Sequence, residues 1–407
     1  MGIIGHPAVC KGDPRPNVKG RLEVGAKLPR RLLAALGLVI AVLALVCAFI
    51  SFYISNTPLR LLSIGLGVAM FLIMALTSEN VPIRTGGILL FAVSMPFALV
   101  NCWTTDFKSL IIPLSFLSGL GIAWYIFEYR KTRVIFENFF FGYLGLTVYL
   151  IVVRGYGSTE FNEFFLGIGR NGYSAILVAT ACGYVVSREL RALPASPLLM
   201  GVALACSVFL YGRSSITALA VLFAVVAFKR APKVSTLTMI ALIGLAIYGY
   251  ELLNTLGQLD TNFKAGVDSE RWDMLTEYRH ALNPVTIGLG VDLRTLPTVV
   301  ENDGNPHNAF IRLHSSIGVS ALVFVSTFLW SIVSLIRQGM WLRLAVLVII
   351  LFRAFTDIIL IFGTVDVFFV PLLFYPYFQA YWSEGNALQL VKNRTLVDGD
   401  YETVSFQ

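Results

Sequence analysis

Apolar residues recur along this chain in long, nearly uncharged blocks, each roughly 17–25 residues, the length a helix needs to cross the hydrocarbon of a bilayer. Inside a membrane every backbone amide must be bonded within its own segment, so such blocks are expected to be helices. A transmembrane β-barrel would instead show strands of about ten residues with alternating polarity. The composition agrees: 57% of the 407 residues are hydrophobic and 14% are charged, which excludes an ordinary soluble domain. The expected fold is all-α, a polytopic membrane bundle.

Block by block, the sequence predicts twelve spans, at 32–54, 59–77, 86–103, 108–127, 134–153, 171–187, 197–211, 214–228, 234–252, 310–336, 344–361 and 367–382. They divide the chain into a basic tail (1–31), helices one to nine (32–252), one long loop (253–309), helices ten to twelve (310–382) and a second tail (383–407). The seventh and eighth spans are separated only by Tyr211-Gly212-Arg213-Ser214-Ser215. A central arginine is costly in lipid, which favours a tight re-entry there over one continuous helix.

Lysines and arginines in short loops set orientation. The N-terminal tail carries Lys11, Arg15, Lys19, Arg21, Lys27, Arg30 and Arg31, and the loops on its side carry Arg130/Lys131/Arg133, Arg188/Arg191, Lys229/Arg230/Lys233 and Arg337/Arg343. With twelve spans both termini and all these charges lie together, in the cytoplasm, and the long loop faces the opposite side. The net charge of +7 is then a topological signal rather than a nucleic-acid footprint. The N-terminus does not read as a cleavable signal peptide, because its polar stretch is long and no small-residue site follows a short apolar core. None of Cys10, Cys47, Cys102, Cys182 and Cys206 lies in the long loop, so neither a disulfide framework nor a zinc site is expected there. No phosphate-cradling glycine loop stands in the sequence, which argues against an ATP-driven machine.

The loop is net acidic, with eight carboxylates (Asp260, Asp268, Glu270, Asp273, Glu277, Asp292, Glu301, Asp303) against Lys264, Arg271, Arg279 and Arg294. A phosphate-bearing partner would therefore have to be held by individual arginines. After Asp268 or Ser269 as an N-cap, Trp272, Leu275, Tyr278 and Leu282 recur at helical spacing until Asn283-Pro284, which predicts a short amphipathic helix lying on the bundle. Arg271 falls in its first turn, where a cation is locally unfavourable. A bound anion or a loop carboxylate would offset that. Gly288-Leu289-Gly290 reads as a flexible turn, and the polar run ends at His307. An imidazole at the rim of a membrane can take a proton from a hydroxyl near neutral pH, although a lone loop histidine is more often an ordinary surface residue. His280 and His314 make weaker claims to that role. Arg154, Arg170, Arg213 and Arg312 are all expected at the same face. Each can offer a fork for phosphate oxygens or simply snorkel to the interface. Arg353 and Asp357, four apart in the eleventh span, read as a buried ion pair.

Taken in order, these elements resemble the O-antigen ligase and polymerase superfamily of bacterial envelope glycosyltransferases. Over roughly residues 165–325, Arg170-Asn171-Gly172 is similar to the polar opening of the family's middle span, and Gly212-Arg213-Ser214-Ser215 to its short Ser-Arg-Gly turn. Arg271-Trp272, Asn283-Pro284 and Gly288-Leu289-Gly290 are similar to its loop signature, with the proline-to-glycine spacing one residue longer. His307-Asn308, nine residues and Gly318 resemble the ligase pattern, in which Ala321 replaces a second glycine. The resemblance implies an inner-membrane enzyme, independent of metal or other cofactor, that moves a glycan from undecaprenyl diphosphate to an acceptor hydroxyl. In a ligase the acceptor is lipid A–core; in a polymerase it is another lipid-linked repeat. Arg213 and Arg271 would hold the diphosphate, His307 would orient or deprotonate the acceptor, and Arg154, Arg170, Asn171, Asn308 and Arg312 would contribute to substrate binding. The ligase is preferred on the His-Asn-to-Gly spacing. A secondary transporter or flippase is the main rival and predicts paired polar residues at mid-membrane in both halves. Spans one to five hold almost no ionisable residue. A non-catalytic membrane scaffold is a third reading.

Overall fold

Helix α1, Arg30–Tyr53, starts where Arg30-Arg31 gives way to an unbroken run of leucine, alanine and valine. It ends at Tyr53, and Asn56 caps the next helix by accepting a hydrogen bond from Leu59 N at 2.9 Å with a proline in the first turn of α2, Thr57–Thr77. In this computed structural model the structure describes residues 30–104, 107–166, 168–230, 270–358, 360–363 and 365–383. Among them the chain is helical and contains no strand. The expected ninth span, 234–252, the N-cap at Asp268 or Ser269, and both tails but for Arg30, Arg31 and Ser383 lie outside the described residues.

Among the described residues, six helices are long and apolar enough to cross a bilayer: α1, α2, α3 (Val81–Thr104), α4 (Lys108–Glu128), α5 (Arg133–Val152) and the stretch Ala309–Arg337. Of these, α4 is central. Its most apolar window is 83% buried, against 33% for α2 and α3, as expected of a helix hydrophobic on all sides. Small residues let α2 and α4 touch: a Cβ added at Gly121 would stand 2.6 Å from the Gly67 carbonyl. A short helix α6, Ser158–Phe164, which the sequence does not predict, leads into α7, Gly169–Leu190. Residues Gly172–Ser187 of α7 are all buried, so its serines, threonines and tyrosines meet protein rather than lipid. Helices α8, Pro197–Phe209, and α9, Arg213–Arg230, form the expected tight re-entry. Its turn is made by Tyr211, at φ 50°, and by Gly212, where a Cβ would stand 2.8 Å from Ser174 Oγ.

The last third departs from the predicted spans. The tenth is two helices, α13 (Ala309–Ile317) and α14 (Ala321–Arg337), broken at Gly318 with φ 54°. The eleventh, α15 (Trp341–Phe355), stops six residues short of the predicted end. Beyond it the chain is irregular except for a 3-10 turn at Asp366–Phe368, and it becomes helical again over Val370–Leu373 and 375–383. Residues 360–363 and 365–370 are nevertheless buried. Non-helical backbone at such depth needs partners supplied by protein. Arg312 Nη2 donates to the Ile361 carbonyl at 2.6 Å, and Gly363 N donates to Asp366 Oδ2 at 2.9 Å.

The described part of the long loop is folded. Helices α10 (Glu270–His280), α11 (Pro284–Leu289) and α12 (Pro297–Glu301) surround a small core of Met274, Tyr278, Val291, Leu296, Val299 and Ile311. The amphipathic helix exists, but its buried face is Met274 and Tyr278, while Trp272 is 55% and Leu282 39% exposed. Asn283-Pro284 stops α10 and also starts α11, since Asn283 Oδ1 accepts from Val285 N at 2.9 Å. Gly288-Leu289-Gly290 is a pinned contact instead of a flexible turn. A Cβ at Gly318 would stand 2.2 Å from Gly288 O, and one at Gly290 would stand 2.5 Å from His314 O. Asn101 of α3 fixes the junction by donating to the carbonyls of Leu289 (2.6 Å), Ser315 (3.1 Å) and Ser316 (3.0 Å).

Candidate functional site

The bundle has a basic end, where α1 begins and α7 and α9 finish, and a loop end, where α7 and α9 begin and α15 finishes. The loop end is organised around Arg353, which is 1% exposed. Its Nε donates to Ser215 Oγ at 3.1 Å, Nη1 to Thr356 Oγ1 at 3.1 Å, and Nη2 to both Asn171 O at 2.8 Å and Asp357 Oδ2 at 3.0 Å. One guanidinium thus ties the starts of α7 and α9 to the end of α15. Ser215 also donates to Ser174 Oγ at 2.9 Å, and Gly212 permits that approach. The expected Arg353–Asp357 ion pair is present and buried, with Asp357 just past the helix end, where its Oδ1 accepts from Ile358 N at 2.7 Å. The sequence marks this pair without indicating that it joins the other residues of the site.

Arg271 stands half-buried in the first turn of α10. Burial lowers its pKa first of all. The Asp357 carboxylate opposes the shift, and Arg353 and Arg213 add to it. His307 follows the buried Pro306, with φ 48° and its N–H donated to Asn305 Oδ1 at 2.9 Å. Left-handed backbone is uncommon for a non-glycine residue, with histidine among the more tolerant types. Burial also depresses the His307 pKa below the usual histidine value, and the Arg271 cation depresses it further, against the pull of Asp357 and Glu270. The folded chain therefore favours neutral imidazole. That form dominates at neutral pH and is lost only as pH falls through a value below the ordinary one. Four charges named by separate stretches of sequence, Arg213, Arg271, Arg353 and Asp357, thus act on one another or on His307.

The remaining predicted residues fall into three groups. Asn171 and Arg170 open α7 beside the cluster: the Asn171 carbonyl receives Arg353, and Arg170 N donates to Asn162 Oδ1 at 3.2 Å. Asn308 and Arg312 have structural partners. Asn308 Oδ1 caps α13 through Phe310 N at 2.9 Å and Ile311 N at 3.2 Å, and Arg312 holds the broken segment through Ile361. Arg154 is exposed on the turn after α5, and among the described residues no hydrogen bond or ion pair links it to the cluster.

The histidines separate by their partners. His314 Nε2 faces the Ile287 carbonyl at 3.0 Å and must donate to it, so Nδ1 accepts from Tyr278 OH at 2.5 Å. Both ring nitrogens are therefore used in joining α10 and α11 to α13. His280 is exposed. Among the described histidines, His307 alone lies among the arginines.

Arg271 thus lies within electrostatic reach of Arg213, Arg353 and Asp357, and His307 within reach of Arg271, Arg353, Asp357 and Glu270. Such an arrangement suits an anion carrying more than one charge, with a neutral base beside it. Compared with known proteins, the chain matches no family model, no curated protein and no solved structure.

Proposed function

We propose that the loop-end cluster transfers a glycan from a polyprenyl diphosphate, most simply undecaprenyl diphosphate, to an acceptor hydroxyl. In this reading the chain is a twelve-span protein of the bacterial inner membrane with both termini in the cytoplasm. The cluster faces the periplasm, and lipid A–core is the acceptor. The observation that carries the proposal is the convergence of His307 with Arg271 and Arg213 around the buried Arg353–Asp357 pair.

The chemistry follows from the charges. The acceptor oxygen attacks the anomeric carbon from the side opposite the phosphate, the carbon–oxygen bond to phosphate breaks, and its electron pair stays on the diphosphate. Arg213 and Arg271 stabilise the charge developing there. The acceptor proton passes to His307, whose depressed pKa keeps it free to accept one at neutral pH. Arg353 positions the site: it fixes the turn bearing Arg213 through Ser215 and the start of α7 through Asn171.

Complementation tests the reading. In cells lacking the chromosomal copy, the wild-type chain should restore the ladder of glycan-bearing lipopolysaccharide, and Arg213→Ala, Arg271→Ala and His307→Ala should not. An intact ladder with all three variants would reduce the protein to a scaffold. Longer lipid-linked glycan made without lipid A–core would replace the ligase with a polymerase. Transport of a labelled lipid-linked glycan that survives His307→Ala, with no transfer by the wild type, would replace both with a flippase.

A further inference from the structure

The structure contains a second site that the transfer chemistry above does not use. A cleft of about 380 Å³ opens at the loop end between the end of α1 and helix α6, lined by Tyr53, Ile54, Tyr156, Glu160, Glu163, Phe164 and Leu166. This lies within the size range of small-molecule sites. Three of the seven residues are aromatic and two are acidic. Phe164 packs against Tyr53 at 5.4 Å and Tyr156 at 6.3 Å between ring centroids, both near-perpendicular. Tyr53 remains 51% exposed. Glu160 and Glu163 are three apart on α6 and both exposed, so they share a face of that helix. Glu160 Oε2 accepts from Gly157 N at 2.8 Å, which fixes its direction. Among the described residues, no arginine or lysine lines the cleft.

The other side of α6 anchors it. Phe161 and Phe165 are buried and pack on Tyr173 of α7 at 4.9 and 5.2 Å. Asn162 Oδ1 receives Arg170 N, and the next residue, Asn171, receives Arg353. A short continuous path of bonds therefore runs from the lip of the cleft to the cation cluster.

Open aromatic rings and carboxylate acceptors without a counter-cation are what a hydroxyl-rich ring with apolar C–H faces requires. We propose that this cleft binds neutral sugar residues of the glycan whose diphosphate occupies the arginine cluster. The inference rests on the function proposed above and adds a sugar subsite to it. Aromatic side chains at the lipid–water boundary also serve as simple membrane anchors, and the variants below separate the two roles.

The test uses the full-length protein in lipid nanodiscs with three probes. These are oligosaccharides released by mild acid from the surface polysaccharide of the cells that make it, choline, and inorganic pyrophosphate. Saturation-transfer NMR follows the first two, and phosphorus NMR the third. The oligosaccharides should bind the wild type. Glu163→Gln and Tyr53→Ala should each weaken that binding about ten-fold or more, the effect of losing one charged hydrogen bond or one ring contact. Arg271→Ala should leave it unchanged, while pyrophosphate binding should show the reverse dependence. Unchanged thermal midpoints in the two cleft variants keep a folding defect from imitating the result. Oligosaccharides that fail to bind, or that bind all variants equally, overturn the proposal. Binding of choline that Glu163→Gln abolishes, with no sugar bound, makes the cleft a cation site. Transfer activity with no sugar in the cleft defeats this inference alone. Sugar bound by a protein that does not transfer glycan defeats the proposed function alone.

Discussion

The two ends of the bundle use the same residue types for different arrangements. At the basic end each buried carboxylate is matched by cations. Glu137 meets Arg191 at 2.7 Å, Arg188 at 3.9 Å and the Ser187 hydroxyl at 2.9 Å. Glu189 meets Arg343 at 3.4 Å and Lys229 at 3.5 Å, and Arg343 lies 4.4 Å over the Trp382 ring. These contacts join α5, α7, α9 and α15 and explain themselves as structure. At the loop end Arg271 stands on a helix start, where its charge is unfavourable, within electrostatic reach of Arg353, Arg213 and Asp357 and beside a histidine held in left-handed backbone. On the proposed function, the comparison separates charges that hold helices together from charges arranged to receive a diphosphate.

Substitutions at the two ends should therefore fail in different ways. The largest effect is expected at the basic end. Glu189→Ala leaves Arg343 buried without its carboxylate, which costs up to about 3–5 kcal/mol of stability. Thermal unfolding in detergent should show a sharply lowered midpoint, with turnover per folded molecule unchanged. Arg271→Ala should do the opposite, lowering turnover by about 10²–10³-fold, the value of one preorganised donor, with a midpoint close to wild type. Arg271→Lys should recover little of it, because an ammonium lacks the fork. A large fall in midpoint for Arg271→Ala, or full activity in Arg271→Lys, would erase the distinction between the two ends.

A smaller effect sharpens the comparison. Because burial and Arg271 both depress the His307 pKa, activity should hold through the ordinary histidine range and fall only at lower pH. Removing the cation in Arg271→Gln should move the acid limb upward in whatever activity remains, and Glu189→Gln should not move it. A smaller stability effect is expected at Asn101→Ala, which removes a donor shared by the carbonyls of Leu289, Ser315 and Ser316 and should cost about 1–3 kcal/mol. Arg154→Ala, exposed and remote from the cluster, should change neither stability nor turnover.

Much of the first half was legible in the sequence, because lipid-facing helices announce themselves by apolar length alone. The re-entry at Gly212 was legible too, since an arginine between two apolar runs has few places to go. Arg353–Asp357 could be recognised as a pair from its spacing. Its electrostatic contact with Arg271 could not, because that depends on the chain leaving the helix at Phe355, where no proline or glycine marks the break. Residues 356–361 and 367–369 are apolar enough to read as parts of two membrane spans, and the buried non-helical path through 360–363, held by Arg312 and Asp366, is a tertiary effect. The loop helix is predicted with an apolar stripe of Trp272, Leu275, Tyr278 and Leu282; Tyr278 and Leu275 do face the small core, but Met274 joins them there while Trp272 and Leu282 are exposed. Periodicity gives the pitch of such a helix, and the partner Ile311 decides which stripe is covered. Helix α6 went unseen because its seven residues carry only Phe161 and Phe164 as apolar signals.

The most direct measurement is turnover by the purified protein in proteoliposomes supplied with lipid-linked glycan and lipid A–core. The account predicts transfer by the wild type and a loss of at least two orders of magnitude in His307→Ala at an unchanged thermal midpoint, since a positioned general base contributes about 10²–10⁴-fold. Wild-type rates in His307→Ala, or a wild-type protein that transfers nothing from a donor it binds, would contradict it.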